Sequence, residues 1–150
     1  LLPKKDIKIS ADGLFKLLAT SQILAIKTQN FHWNVVDLRF YMLHELFAKQ
    51  YKELVEAVDE IAERIRFLQI VVSATASNYL KNSIIDETVD ISSGKDMLEI
   101  LAKDHQLIVN FLRNLIETVS LTNDQGTLDF LINRLQYHEK AVWFIASHID

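Results

Sequence analysis

The sequence predicts an all-α protein: a four-helix bundle with a short extra helix in the long connection between the second and third helices. Three observations lead there. Only 3 Gly and 1 Pro occur among 150 residues, so the backbone has few places to turn sharply. Apolar residues recur at three- and four-residue spacing through four long stretches. One connection is far longer than the others, as two parallel-running neighbours in a bundle require, because it must cross the bundle's full length.

Leu14, Leu17, Leu18, Ser21, Leu24 and Ala25 mark the inner stripe of the first helix, with Ser10 as its N-cap and an end near Asn34. Val35 to Leu38 breaks the chain, and Asp37 is placed to cap the next helix. The second helix reads from about Arg39 to Gln69, its buried stripe running Leu43, Leu46, Phe47, Leu54, Val58, Ile61, Ile65, Leu68. On its outer face Glu60 and Arg64 form an i,i+4 pair of favourable sign. Asn78 to Asn82 is the short helical piece inside a connection that reaches Ser92. Ser93 and Asp96 then form a weak capping box for the third helix, which carries Met97, Leu98, Leu101, Ile108, Leu112, Leu115 and Ile116. A polar turn over Thr122 to Gly126 leads to a fourth helix from about Thr127 to the end. No internal repeat or low-complexity tract interrupts residues 1–150, which read as a single domain.

The composition narrows the chemistry. With 49% apolar and 24% charged residues the balance is globular, not disordered. Cysteine is absent, which excludes disulfides, thiolate zinc sites and cysteine nucleophiles and is compatible with a reducing cytoplasm. No Gly-rich phosphate loop is present. No uncharged apolar run approaches membrane-spanning length, and Leu1 to Asp6 lacks the apolar segment of a secretory leader, so neither membrane nor export is expected. A net charge of −4 disfavours nucleic acid, and Lys4, Lys5 and Lys8 read as a solvated terminus.

His32 and His44, followed by Asp59 and Glu63, are the candidate metal ligands. Imidazole with carboxylate is a donor set that suits iron, manganese or zinc. Asp59 and Glu63 are i,i+4 and converge on one side of the second helix. His44 lies 15 residues before Asp59, about 22 Å along a straight helix at ~1.5 Å per residue. Ligands sit near 2 Å from an ion, so His44 and Asp59 of one chain cannot share one. Each chain then offers a histidine half-site, with His32 folded back to His44, and a carboxylate half-site. Two chains with these helices antiparallel complete two equivalent centres, which predicts an oligomer. Taken singly, each histidine also reads as a polar surface residue, and Asp59 with Glu63 as a solvated face. An intra-bundle di-iron site is not expected: it wants Glu-x-x-His, and Gln29, Tyr41, Ala102, Leu135 and Ile145 stand three residues before the histidines.

Asn30-Phe31-His32-Trp33-Asn34-Val35, Leu43-His44-Glu45 and Asp59-Glu60-Ile61-Ala62-Glu63-Arg64-Ile65 together resemble the signature of the Dps family, the mini-ferritins of the ferritin-like superfamily. Asp124 to Asp129, and His138-Glu139-Lys140 with Trp143, agree. The resemblance implies a ferritin-like four-helix bundle and a hollow homododecamer. It implies a cytoplasmic ferroxidase that oxidises Fe(II) with hydrogen peroxide or oxygen, stores the ferric product and so limits oxidative damage. Its ferroxidase ligands map to His32 and His44 of one subunit with Asp59 and Glu63 of another. Asp124 and Asp129 map to residues lining iron-entry pores; alone, they also read as a helix cap and a first-turn charge. Trp33, beside His32, is placed to trap an oxidising equivalent, or is an apolar anchor at the bundle's end. His105, His138 and His148 receive no metal role.

One position departs from the family. Ala48 stands where an acidic residue commonly follows the second histidine by four, Glu45 is angularly off and Glu53 too far along. One tight iron per centre and slower oxidation are expected. Two other functions stay open: a catalytically weakened cage acting as metal buffer or nucleoid-associated structural protein, and a helical bundle that binds zinc, which accepts the same donors. DNA binding is expected to be weak or absent, since twelve chains of −4 carry about −48.

Overall fold

The computed structural model describes residues 2–91 and 93–149. Its elements are α1 (Lys4–Asn34), α2 (Phe40–Phe67), α3 (Ala76–Asn82), α4 (Gly94–Ser120) and α5 (Gln125–Ala146). Among the described residues the only bridge of strand type is an isolated parallel one, Val36 to Ser93. The all-α architecture, the four long helices and the extra short one in the long connection are all as the sequence predicts.

α1 packs on α2, and α4 on α5, each pair joined by a short loop. The starts of α2 and α4 lie together: the Val36–Ser93 bridge joins them, and a Cβ on Gly94 would strike Asp37 and Leu43. α2 and α4 therefore run parallel, and residues 68–93 traverse the bundle between them. That connection is tied to α1. Ile84 N–H donates to Thr20 Oγ1 at 3.0 Å, and Asn30 Nδ2 donates to the Thr88 carbonyl at 3.3 Å. Lys27, buried on α1, reaches the Asp86 carbonyl at 2.7 Å and the Asp104 carboxylate of α4 at 2.7 Å. Burial raises the Asp104 carboxyl and Lys27 opposes that rise. Deleting either partner would leave a lone charge inside the protein, a loss of about 3–5 kcal/mol.

Several boundaries differ from the sequence reading. α1 begins at Lys4, not after Ser10; Ser10 is fully buried within it, and Pro3 precedes it with φ −59°. Proline's preset φ and the acidic Asp6 in the first turn favour that earlier start. Asp37 does not occupy the N-cap of α2, which is Arg39; its carboxylate accepts from Arg39 N–H at 2.7 Å, one turn-forming step upstream. α2 ends at Phe67, two residues short of the reading, because Gln69 takes a left-handed φ of 67°. α5 starts at Gln125 and stops at Ala146, short of the C-terminus. The expected end of the crossover at Ser92 lies outside the described residues. Ser93 does cap α4, accepting from Asp96 N–H.

α1 is long and apolar enough by hydropathy to cross a membrane, yet 67% of its most apolar window is buried inside the bundle. That apolarity serves the core. Leu14, Leu17, Leu18, Leu24 and Phe31 of α1 meet Leu43, Phe47, Leu54 and Ile61 of α2 and Met97, Leu98, Leu101 and Leu112 of α4. α1 and α4 approach closely at Gly13, where a Cβ would lie 2.3 Å from a Leu115 methyl.

A polar chain runs through this core. Arg134 of α5 grips Glu53 of α2 through two bonds of 2.6 and 3.1 Å. Arg134 also donates to His138 Nε2 at 3.4 Å, so His138 carries its proton on Nδ1 and donates it to His105 Nδ1 at 2.9 Å. Both imidazoles are completely buried. Burial, then the Arg134 charge, pushes His105 down to about 3. Burial, His105 and Arg134 push His138 well below its ordinary value. Over that range the unfolded chain binds a proton on each ring and the folded chain does not. Stability is therefore complete above pH 6.5, the ordinary histidine value, and is lost as pH falls below it. Each histidine contributes a slope of about 1.4 kcal/mol per pH unit. Urea midpoints should fall steadily from pH 6.5 to 5; a flat profile would contradict the buried neutral pair.

Candidate metal centre

The α1–α2 corner holds the histidine pair. His32 lies in the last turn of α1 and His44 in the second turn of α2. The five-residue reversal between the helices brings the rings face to face, centroids 3.8 Å apart and planes within 16°. His32 Nδ1–H donates to the His44 carbonyl at 2.7 Å, and His44 Nδ1–H donates to the His32 carbonyl at 2.8 Å. The exchange fixes both tautomers, leaving Nε2 of each ring with a free lone pair. Two parallel imidazoles with bare Nε2 atoms are ready donors for a transition metal. Anchoring comes from the sequence around them: Phe31, Leu43 and Phe47 are fully buried neighbours that hold the corner to the core.

Two further rings frame the pair. Phe40 stacks on His44 at 5.0 Å, and Tyr51 leans on His32 at 5.4 Å. Neither was singled out in the sequence. The usable signal was spacing, since Phe40 precedes His44 by four residues and Tyr51 follows it by seven, one and two helical turns on the same face. Ala48, one turn after His44, is buried and brings no donor.

Asp59 and Glu63 lie further along α2, exposed beside Val55, Val58 and Ala62 in a shallow surface depression. Their carboxyls interact: a hydrogen bond with Asp59, then its charge, raises Glu63 above its ordinary value. A cation is the natural relief for such a pair. Among the described residues no three His, Asp or Glu side chains gather around a common point. Within one chain the histidines come together, the carboxylates come together, and the two sets stay apart.

Around these half-sites the surface is unusually apolar. Trp33, Val36, Leu38, Phe40, Tyr41, Met42 and Val55 are all exposed. Trp33 is 65% exposed and so does not anchor its own bundle. At the far end of α2, Asp124 is the N-cap of α5, accepting from Thr127 N–H at 3.1 Å and from Arg64 at 3.2 Å. Burial opposes its ionisation, but Thr127 and the Arg64 charge hold its carboxyl below the usual value. Asp129 is exposed on the first turns of α5. His148 donates from Nδ1 to the Phe144 carbonyl of its own last turn.

Residues 11–150 match the ferritin-like domain family. DNA protection during starvation protein 2 of Bacillus anthracis is 32% identical over 137 residues, covering 91% of this chain and 94% of its own length. An uncharacterised low temperature-induced protein of Nostoc sp. is 34% identical over 135 residues, covering 89% of this chain and 75% of its own length. Among solved structures, the Dps protein of Vibrio cholerae superposes with a TM-score of 0.93 at 29% identity, covering 97% of this chain and 92% of that one. It is described as a member of a superfamily of ferritin-like diiron-carboxylate proteins. The chain belongs to the Dps family of ferritin-like proteins. Membership points to iron storage and oxidative protection.

Asp124→Ala should cost about 1–2 kcal/mol of stability, because it removes a cap and one of the partners of Arg64. Asp129→Ala should change stability by no more than about 0.5 kcal/mol, as a solvated residue does. Urea unfolding of both variants checks the contrast.

Proposed function

We propose that residues 1–150 form one ferritin-like domain of a hollow, cytoplasmic homododecamer that oxidises Fe(II) and stores the ferric product. Hydrogen peroxide is the preferred oxidant and oxygen a slower one. The single observation that carries this reading is the separation of the paired Nε2 donors at the α1–α2 corner from the paired carboxylates of Asp59 and Glu63 on the same rigid helix. His32 and His44 of one subunit take one side of the iron, Asp59 and Glu63 of a twofold-related subunit the other. The exposed apolar surface flanking both half-sites supports that pairing, since a patch of this kind marks an association surface.

Each residue has a task in the oxidation. Asp59 and Glu63 neutralise the charge of the arriving Fe(II) and grow stronger as ligands when it becomes Fe(III). His32 and His44 bind through Nε2 and stay oriented through their carbonyl bonds. Two Fe(II) supply the two electrons that reduce one peroxide to two waters, with two protons consumed. Pairing the electrons avoids a free hydroxyl radical. Ala48 weakens the second iron position, so one iron binds tightly and the second visits. Trp33, exposed beside His32, takes up an oxidising equivalent when the second electron is late. Asp129, with Asp124 held behind it by Arg64, lines the route of iron entry. Zinc accepts the same donors and competes for the centre. The acidic surface keeps DNA binding weak.

A second reading follows from Ala48: a cage with little oxidase activity that buffers metal or serves a structural role in the nucleoid. Iron-dependent peroxide consumption separates the two.

Subunit mixing tests the shared centre. Chains carrying His32→Ala and His44→Ala should be inactive, as should chains carrying Asp59→Ala and Glu63→Ala. Co-assembled in equal amounts they should regain about a quarter of wild-type ferroxidase activity, because half the pairs are mixed and each mixed pair keeps one intact centre. No recovery in verified mixed particles would place all four ligands in one chain. Anaerobic Fe(II) titration should find one tight iron per centre, and two would refute the role given to Ala48.

A further inference from the structure

A separate cavity opens between α2 and α5. It holds about 150 Å³ and is bounded by Leu46, Ala141, Phe144, Tyr137, Lys49 and Lys140, with Gln50 and Glu53 at its base. Its position is distinct from both half-sites: His32, His44, Asp59 and Glu63 are not in its wall.

The wall combines two chemistries. Leu46, Ala141 and the faces of Phe144 and Tyr137 supply an apolar bed, and a cavity of about this size holds a benzene ring in proteins where one has been made. Lys49 and Lys140 stand at the rim, one on each helix. Neither forms an ion pair among the described residues. Lys140 Nζ sits 5.5 Å from the Phe144 ring centre, so charge and aromatic face adjoin. The one carboxylate in the wall, Glu53, is already held by the two terminal Arg134 nitrogens at 2.6 and 3.1 Å. Its charge is cancelled, and the mouth is left with two positive charges in excess. Tyr137, with the Arg134 guanidinium 4.7 Å over its ring, is kept protonated chiefly by burial and can donate a hydrogen bond.

These features select a ligand class. A phosphate would meet the ammonium groups but would have to shed water against carbon. A neutral hydrocarbon would fill the bed and ignore the rim. We propose that the α2–α5 cavity binds a small monocarboxylate with a compact apolar body, an aromatic acid of benzoate size. The ring lies against Phe144, Leu46 and Ala141, and the carboxylate lies between Lys49 and Lys140. This assignment is independent of the iron reading, since the cavity shares no ligand with it.

The probe is 4-fluorobenzoate, followed by fluorine NMR on the intact assembled protein. Expected is saturable binding of one molecule per chain, with a dissociation constant on the order of 0.1–1 mM, a fair affinity for so few atoms. Benzoate should displace it at similar concentration, while equal benzyl alcohol or inorganic phosphate should not. Lys49→Met with Lys140→Met should weaken binding about tenfold, the sum of two partly solvated ion pairs. Ala141→Phe should abolish it by filling the bed. Circular dichroism and particle mass verify that each variant is folded and assembled, and any variant that fails this is replaced by Phe144→Ala, which should also weaken binding. Absence of saturable binding to the wild type overturns the proposal. So does unchanged affinity in the folded variants, phosphate competition equal to benzoate (charge alone), or benzyl alcohol competition equal to benzoate (apolar burial alone).

Discussion

The rigidity of α2 governs the rest of the molecule's chemistry. A continuous helix holds His44 and Asp59 fifteen residues apart, and no side-chain rotation spans the ~22 Å that this imposes. Chemistry that needs both imidazole and carboxylate must therefore recruit a second chain. The helix is held in place by what it buries. Leu43, Phe47, Leu54, Ile61 and Ile65 lock its inner stripe against α1 and α4, while His44, Asp59 and Glu63 project from other faces. Core packing and the division of the site thus have one cause. Removing the inner stripe would free the helix to bend and would forfeit the fold as well.

The bundle interior has taken a different course from its surface. At mid-height it is filled not by metal ligands but by Arg134, Glu53, His138 and His105, a chain of polar groups drawn from three helices. A guanidinium is a permanent cation, and its bidentate grip holds the Glu53 carboxylate in place. The interior is thus charged and threaded by hydrogen bonds. At the outer corner two imidazole Nε2 atoms are left free, and it is there that the proposed iron site would lie. Lys27 with Asp104 performs a comparable service nearer the crossover, binding α1, α4 and the long connection at a single buried point.

Much of this was legible in the residues. Periodic apolar positions and the scarcity of glycine determined the helices. The length of residues 68–93 announced the parallel arrangement of α2 and α4. The half-sites were legible because helical rise is a fixed number, and His44 to Asp59 is simply too long. What escaped was governed by contacts distant in sequence or by local geometry without a strong motif. Ser10 looked like a cap, but the rigid φ of Pro3 and the Asp6 contact to Asn123 N–H carry α1 further back. The end of α2 depends on a left-handed Gln69, a conformation that glutamine does not advertise. No motif in the sequence marks Phe40 and Tyr51 out, and only the α1–α2 corner brings them against the imidazoles. His105 and His138 stand 33 residues apart, and only the α4–α5 hairpin reveals them as one hydrogen-bonded pair.

The crossed bonds between the two histidines and each other's carbonyls have a mechanical corollary. An electron-withdrawing ion at one edge of an imidazole makes the N–H at the opposite edge a stronger donor. If the proposed centre takes an ion there, both bonds that clasp the end of one helix to the beginning of the next tighten. By reciprocity, whatever splays that hairpin must loosen the grip on the ion to the same degree. On the proposed reading, ion binding would in this way be coupled to the hinge between α1 and α2.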